Sequence, residues 1–356
     1  MQQQIRVART KDGVNLAWAS AGSGPPLVRA STWLTHLEYD WESPVWRHWL
    51  DFLVGHFHLI RYDERGCGLS DWVVDDYTQP RWFDDFDAIV EASNPKKPFA
   101  ILGISQGGLA AVSYAVRFPE NVSHLILYGA YARGWMERGN PDGAQGYKAI
   151  VQLTRLGWGQ DNPVYRQLFT SRFVPEGTPE QLDWFNALCA KTTQPDVAAR
   201  LLEERGRANI TDLLPEVSVP TLVLHSSDDA VAPFSEGRLL AAEIPNARFV
   251  QLNSKNHVLL EHEPAWERFK EEVLSFTGVV AAEDSEDPIF EVLSPREREI
   301  LWHLAEGSTN SQIGEKLYIS EKTVRNHITH VFEKLGVKSR AQAIVLAKDK
   351  RLSQRI

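Results

Sequence analysis

Short apolar runs recur through the first 253 residues, separated by stretches whose apolar positions fall three and four apart. LVRA (27–30), FHLIRYD (57–63), FAILGIS (99–105), HLILYGA (124–130), PTLVLHS (220–226) and ARFVQLN (247–253) are too short and too continuous for amphipathic helices, so they predict buried strands. PVWRHWLDFLV (44–54) and PRWFDDFDAIVEA (80–92) predict helices with one apolar face. Strand and helix in alternation imply an α/β fold whose sheet is largely parallel and covered on both faces. Ahead of these, IRVART (5–10) and VNLAWAS (14–20) flank Lys11-Asp12-Gly13, which predicts an antiparallel hairpin at the sheet edge. From about 131 to 217 the alternation stops, and a helical pattern rich in Trp, Tyr and Phe predicts an inserted helical cap.

After LSFTGVV the run AAEDSEDP has four carboxylates and no bulky apolar residue, which places a linker at 279–288 between a domain at 1–278 and a second at 289–356. The second has helical periodicity only. Ser294, Pro295 and Glu297 form a capping-box start, and Gly307 a stop. NSQIGEKLYIS and SEKTVRNHITHVFEKLGV then read as helix, turn and helix. In the latter, Val324, Ile328, Val331, Phe332 and Leu335 make one buried stripe, while Lys322, Arg325, Asn326, Thr329 and His330 lie on the opposite face.

Charge sharpens this division. The chain has 356 residues and a net charge of −9, but residues 291–356 carry 12 Lys and Arg against 8 Asp and Glu, leaving an acidic body with a basic tail. That asymmetry suits a nucleic-acid-binding appendage. Two cysteines, Cys67 and Cys189, are too few for a disulfide framework or a zinc site, and the amino-terminal residues have no apolar run of the signal-peptide kind. No stretch approaches 18 apolar residues, so the expectation is a cytoplasmic protein with no membrane partner, no metal and no cofactor.

Gly103-Ile104-Ser105-Gln106-Gly107 is a G-x-S-x-G that follows a predicted strand and opens a predicted helix, the setting of a nucleophile elbow. Serine needs a base and an orienting acid to act as a nucleophile. His257 follows the last strand, and Asp228 and Asp229 follow the one before it. Together with Asp63-Glu64-Arg65-Gly66-Cys67-Gly68-Leu69-Ser70, these residues make positions 1 to about 277 resemble the α/β-hydrolase superfamily, in the branch with cap domains that holds haloperoxidase-like esterases. The resemblance implies Ser105, Asp229 and His257 as the catalytic set, with Asp228 as the runner-up acid, and a structural role for Asp63 and Arg65. It implies oxyanion donors at the Gln106 and Trp33 amides, although Ser31-Thr32 stand where such enzymes carry His-Gly. Trp33 and Trp135 are expected in an apolar ligand pocket, with about half of the set Trp33, Tyr39, Trp41, Trp46, Trp72, Trp135, Trp158 and Trp184.

LSPREREIL followed by KTVRNHITHVFEKLGVKSRAQAI resembles the LuxR-type (GerE-like) DNA-binding domain. That resemblance implies double-stranded DNA as partner. Arg325, Asn326 and Thr329 would face bases, Lys322, Thr323, His327, Lys338 and Arg340 would hold phosphates, and the last helix would join a homodimer. The whole chain then reads as a ligand-responsive transcriptional regulator whose hydrolase-derived domain senses a small apolar acyl, ester or lactone compound. The alternative is an active serine hydrolase with an appended DNA-binding domain.

Overall fold

The computed structural model describes residues 3–160, 170–279, 288–290 and 292–349. The linker expected at 279–288 falls almost wholly outside them, as do residues 350–356. The chain divides into two compact units, Met1–Val279 and Val280–Ile356.

The first unit is built on eight strands: β1 (Gln4–Arg9), β2 (Asn15–Ala21), β3 (Pro26–Ala30), β4 (His58–Tyr62), β5 (Phe99–Ile104), β6 (Val122–Tyr128), β7 (Thr221–Ser226) and β8 (Arg248–Leu252). Their order in the sheet is β1-β2-β4-β3-β5-β6-β7-β8. β1 and β2 pair antiparallel, as does β2 with β4, and the remaining pairs are parallel. This is the largely parallel α/β sheet expected from the alternation and the α/β-hydrolase fold that the resemblance implies, with the 5–20 hairpin at the edge. Every residue of β5 and β7 is buried, as a strand covered on both faces requires. The covering helices are α1 (Arg47–His56), α2 (Gln79–Ser93), α3 (Gly107–Arg117), α7 (Phe234–Glu243) and α8 (Pro264–Thr277), and the cap supplies α4 (Pro141–Gly157), α5 (Pro179–Thr192) and α6 (Pro195–Arg207) between β6 and β7.

Local chemistry explains where the cap helices begin. Pro occupies the first turn of all three; Asn140 accepts a hydrogen bond from the Gly143 N–H, and Thr178 and Gln181 form a reciprocal capping box. The turn after β4 is held from inside. Asp63 Oδ2 accepts from the N–H groups of Leu37 (3.0 Å) and Leu69 (2.9 Å), and a Cβ on Gly68 would lie 2.1 Å from that oxygen. Arg65, fully buried, donates to both oxygens of Asp85 at 2.8 and 2.6 Å and to Asp12 at 2.8 Å. Asp63 therefore holds backbone and Arg65 ties the turn to Asp85 and Asp12, the structural roles that the resemblance implied. Burial would raise Asp12, but its hydrogen bond from Arg65 outweighs that and pulls it down to about 2.

The second unit is all helical: α9 (Pro295–Ala305), α10 (Asn310–Leu317), α11 (Glu321–Leu335) and α12 (Arg340–Asp349). Its core joins Phe290, Leu293, Ile300, Leu301, Leu304, Ile313, Val324, Val331 and Ala343. Three starts are capped by side chains: Ser294 with Glu297, Thr309 with Gln312, and Ser320 accepting from the Thr323 N–H. Gly307 ends α9 with a positive φ of 83°. Glu297 also receives Lys334 Nζ at 2.7 Å, which ties α9 to α11.

Candidate functional site

Ser105 stands between β5 and α3 with a φ of 54°, a left-handed conformation that costs a non-glycine residue energy and persists only where neighbours impose it. They do so here. The Ser105 N–H donates to Tyr128 O at 3.0 Å; a Cβ on Gly103 would come within 2.8 Å of the Gly108 Cα, and one on Gly107 within 2.8 Å of the Ser31 carbonyl. The flanking glycines let the turn pass between α3 and β3, and the strand-turn-helix setting is that of a nucleophile elbow.

At the ends of β7 and β8 the structure brings Asp229 and His257 together. His257 Nδ1 lies 2.6 Å from Asp229 Oδ2, and Asp229 Oδ1 accepts from the N–H groups of Val231 (2.8 Å) and Ala232 (3.0 Å). Burial alone would raise the Asp229 carboxyl, but the His257 charge and hydrogen bond, with His225 and the Ala232 N–H, hold it below the ordinary range. Asp228, the other acid considered, is exposed and takes a hydrogen bond from Ser227 Oγ. His257 is itself buried. Its N–H is anchored to Phe173 O at 2.9 Å and its ring meets the Phe173 ring edge-on, while Nε2 is buried with no hydrogen-bond partner.

Ser105 and Gln106 line a partly open pocket beneath the cap, with an interior of about 50 Å³. Its walls are largely aromatic: Trp33, Tyr131, Trp135, Tyr147 and Phe173. Trp33 stacks on Trp158 at 5.6 Å, and Trp135 on Tyr147 at 5.2 Å, with its indole N–H on Leu202 O. Of the eight aromatics considered, only Trp33 and Trp135 line this pocket among the described residues. Tyr39 stacks on Trp184 and Trp46 packs on Trp49 instead. Three arginines, Arg138, Arg172 and Arg205, also line the pocket, and nothing in the sequence pattern had pointed to them. Trp-rich composition was visible in the chain; a cation brought in by α6 from a hundred residues after Ser105 was not.

In the second unit, α10, its turn and α11 form the helix-turn-helix. Val324, Ile328, Val331 and Leu335 of α11 are buried, with Phe332 partly so. Lys322, Arg325, Asn326, Thr329 and His330 are exposed on the other side, with Thr323 and His327 half-buried beside them. Arg325 pairs with Glu321 at 3.1 Å on its own helix, a solvent-exposed contact that a stronger partner can replace. Lys338 is exposed, while Arg340 donates to Asn310 Oδ1 and to Ser308 O, so part of its capacity is taken by the unit's own packing. Among the described residues no group of His, Cys, Asp and Glu could hold a metal ion, and no helix is long and apolar enough to cross a membrane.

These two sites match known proteins separately. 3-Oxoadipate enol-lactonase 2 of Acinetobacter baylyi is 24% identical over 273 residues, covering 74% of this chain and 95% of its own. The crystal structure of a hydrolase from Pseudomonas aeruginosa superposes with a TM-score of 0.64 at 25% identity, covering 77% of this chain and 98% of that one. The spore germination protein GerE of Bacillus subtilis is 52% identical over 54 residues, which are 15% of this chain and 73% of that protein. With residues 291–347 matching the bacterial regulatory proteins of the luxR family and residues 50–265 matching the family described as serine aminopeptidase, S33, the chain belongs to the α/β-hydrolases and carries a LuxR-type DNA-binding domain of transcriptional regulators.

Proposed function

We propose that the protein is a ligand-responsive transcriptional regulator of the cytoplasm. Its hydrolase domain, residues 1–278 with the cap at about 131–217, binds a small acyl, ester or lactone compound, and residues 289–356 bind DNA as half of a homodimer. The observation that carries the reading is the coexistence in one chain of a LuxR-type domain and an aromatic-walled pocket over Ser105. Arg325, Asn326 and Thr329 are the residues for base edges in the major groove, and Lys322, Thr323, His327, Lys338 and Arg340 those for phosphates. A sensor works only if the ligand binds two states of the protein differently, and a coupling of about 1–3 kcal/mol changes operator affinity roughly 5- to 150-fold.

A second reading has its own support. With Asp229 on Nδ1, His257 keeps the lone pair of Nε2 free for the Ser105 proton, and Ser105 Oγ attacks the acyl carbon while the proton passes to Nε2. The oxyanion that forms falls to the N–H of Gln106, at the start of α3, and that of Trp33. On this reading the ligand is cleaved as well as sensed: the oxyanion collapses, the acyl C–O bond breaks, and the leaving alcohol takes the proton back from Nε2; water, giving a proton to Nε2, then attacks the acyl-enzyme, and the acid and Ser105 are released.

The test is operator titration by the full chain before and after reaction with phenylmethylsulfonyl fluoride, which fills the pocket through Ser105, with Ser105→Ala and Trp135→Ala alongside. A change in operator affinity that the reagent causes in the wild type and not in Ser105→Ala supports the sensor. Stoichiometric labelling with unchanged operator affinity overturns it and leaves a hydrolase attached to a DNA-binding domain.

A further inference from the structure

Arg205 closes one wall of the Ser105 pocket, and its hydrogen bonding is incomplete. It lies on α6 with its side chain 4% exposed. One nitrogen, Nη2, donates to Glu64 Oε1 in the turn after β4, and the guanidinium carbon sits 4.7 Å from the centre of the Trp33 ring. The other two, Nε and Nη1, are buried with no hydrogen-bond partner. A guanidinium cannot shed its charge, and a buried donor left unmade is costly, so such an arrangement persists where something else completes it. The pocket offers no internal counter-charge: among its described lining residues there is no Asp or Glu, and Arg138 and Arg172 add two further cations. Those two are differently placed. Arg138 Nε donates to Arg133 O at 2.9 Å, and Arg172 Nη2 to Ala230 O at 2.7 Å, so each is tied to the backbone.

We propose that the pocket takes an acyl compound that bears a carboxylate separate from its ester or lactone group, with Arg205 Nε and Nη1 donating to that carboxylate. This narrows the ligand class of the proposed function and rests on that reading of Ser105. Glu64 fixes the guanidinium and offsets one charge; Trp33 covers one face; the ligand's carboxylate neutralises the cationic pocket and supplies the missing acceptors. Charge-assisted hydrogen bonds to buried donors discriminate strongly, because the neutral analogue leaves the same donors unmade.

The experiment uses the full chain as Ser105→Ala, so that nothing is turned over, with monomethyl succinate and dimethyl succinate as probes followed by calorimetry. Monomethyl succinate is expected to bind at least 10-fold tighter than the diester. Arg205→Lys, which keeps the charge beside Glu64, should retain part of that preference, and Arg205→Met should remove it, read as the ratio of the two affinities within each variant. Because Arg205→Met strands Glu64, the double variant Glu64→Gln/Arg205→Met is measured in parallel, and far-ultraviolet circular dichroism verifies that each variant is folded. Equal affinities for the two probes, or a preference that survives in either Met variant, overturns the proposal and leaves the pocket reading standing. Failure of both probes to bind overturns this proposal and the ester-binding reading beneath it.

Discussion

Asp229→Asn isolates one proton. Asp229 Oδ1 receives two backbone N–H groups, from Val231 at 2.8 Å and Ala232 at 3.0 Å, and Oδ2 faces His257 Nδ1 at 2.6 Å. In the amide, the two backbone donors require an oxygen at the first position, so the NH2 group must occupy the second. Flipping it would set NH2 against two buried donors and leave both unmade, at about 1–3 kcal/mol each. The NH2 therefore faces His257, whose Nδ1 has to accept; the imidazole proton moves to Nε2, and Nε2 loses the lone pair that would take the Ser105 proton. The same change in the Ser-His-Asp proteases lowers kcat about 10⁴-fold with geometry intact, which at 1.36 kcal/mol per decade is about 5.4 kcal/mol of barrier. Hydrolysis of p-nitrophenyl acetate by the purified chain at pH 8 reads the effect. Where turnover is slow, the rate of Ser105 labelling by a fluorophosphonate reads it instead. Affinity of the Ser105→Ala protein for a succinate ester should change less than threefold when Asp229→Asn is added. A loss in rate under tenfold, or a wild type that neither turns over nor labels, would refute the role of Asp229 and His257 in activating Ser105.

The second unit supplies further expectations. Arg325→Ala should cost about 1–3 kcal/mol at one base position and relax specificity there, measured by titrating an operator and its single-base variants; equal weakening of every sequence would move Arg325 to the phosphates. Lys322→Ala should weaken all sequences alike and lower the slope of log affinity against log salt by about 0.9 for each phosphate that Lys322 neutralises. Glu297 is drawn down to about 2, because its hydrogen bonds with Lys334 and Ser294 outweigh the burial that would raise it. Its depressed value means the stabilisation is fully present above the ordinary carboxyl value of 4.5 and is lost as pH falls through about 2. The urea midpoint of the C-terminal transition should therefore fall across that window, and in Glu297→Gln it should be lower at pH 7 and flat below 4.5. The Ser294 cap adds about 1 kcal/mol, so Ser294→Ala should shift the same transition at every pH.

Much of the architecture was legible because it rests on local pattern. The six apolar runs are β3 to β8, and the Ser294 and Gly307 signals bound α9 where the structure does. Boundaries of the cap helices were not read individually, since their starts depend on Pro141, Pro179 and Pro195 within a stretch whose aromatic residues obscure the period. Ser105, Asp229 and His257 could be picked out because each directly follows a strand that periodicity identifies. The resemblance favoured Asp229 over Asp228, and in the structure the buried Asp229 side chain reaches His257 while Asp228 is exposed.

The pocket's charge has a different origin. Aromatic content is a property of composition, so an apolar site could be expected from the count of Trp and Tyr alone; which of them face the site is a property of packing, and six of the eight considered are used elsewhere among the described residues. Arg205 belongs to a helix whose sequence, PDVAARLLEERGR, is dense in surface-type charges. Nothing in that run separates Arg205 from Arg200 or Arg207, except that Val197, Ala198, Leu201, Leu202 and Arg205 fall on one helical face, which is the face the structure buries. A charged residue in register with an apolar stripe is the signal that could have found it, and its partner Glu64 lies inside the turn motif between Asp63 and Arg65. The turn and the cap thus share one ion pair. Through it, a segment that stabilises the sheet also fixes the cation in the ligand pocket, which is why Glu64→Gln is expected to alter ligand preference while Asp63→Asn, at the carboxylate that holds the Leu37 and Leu69 amides, is expected to alter stability and not that preference.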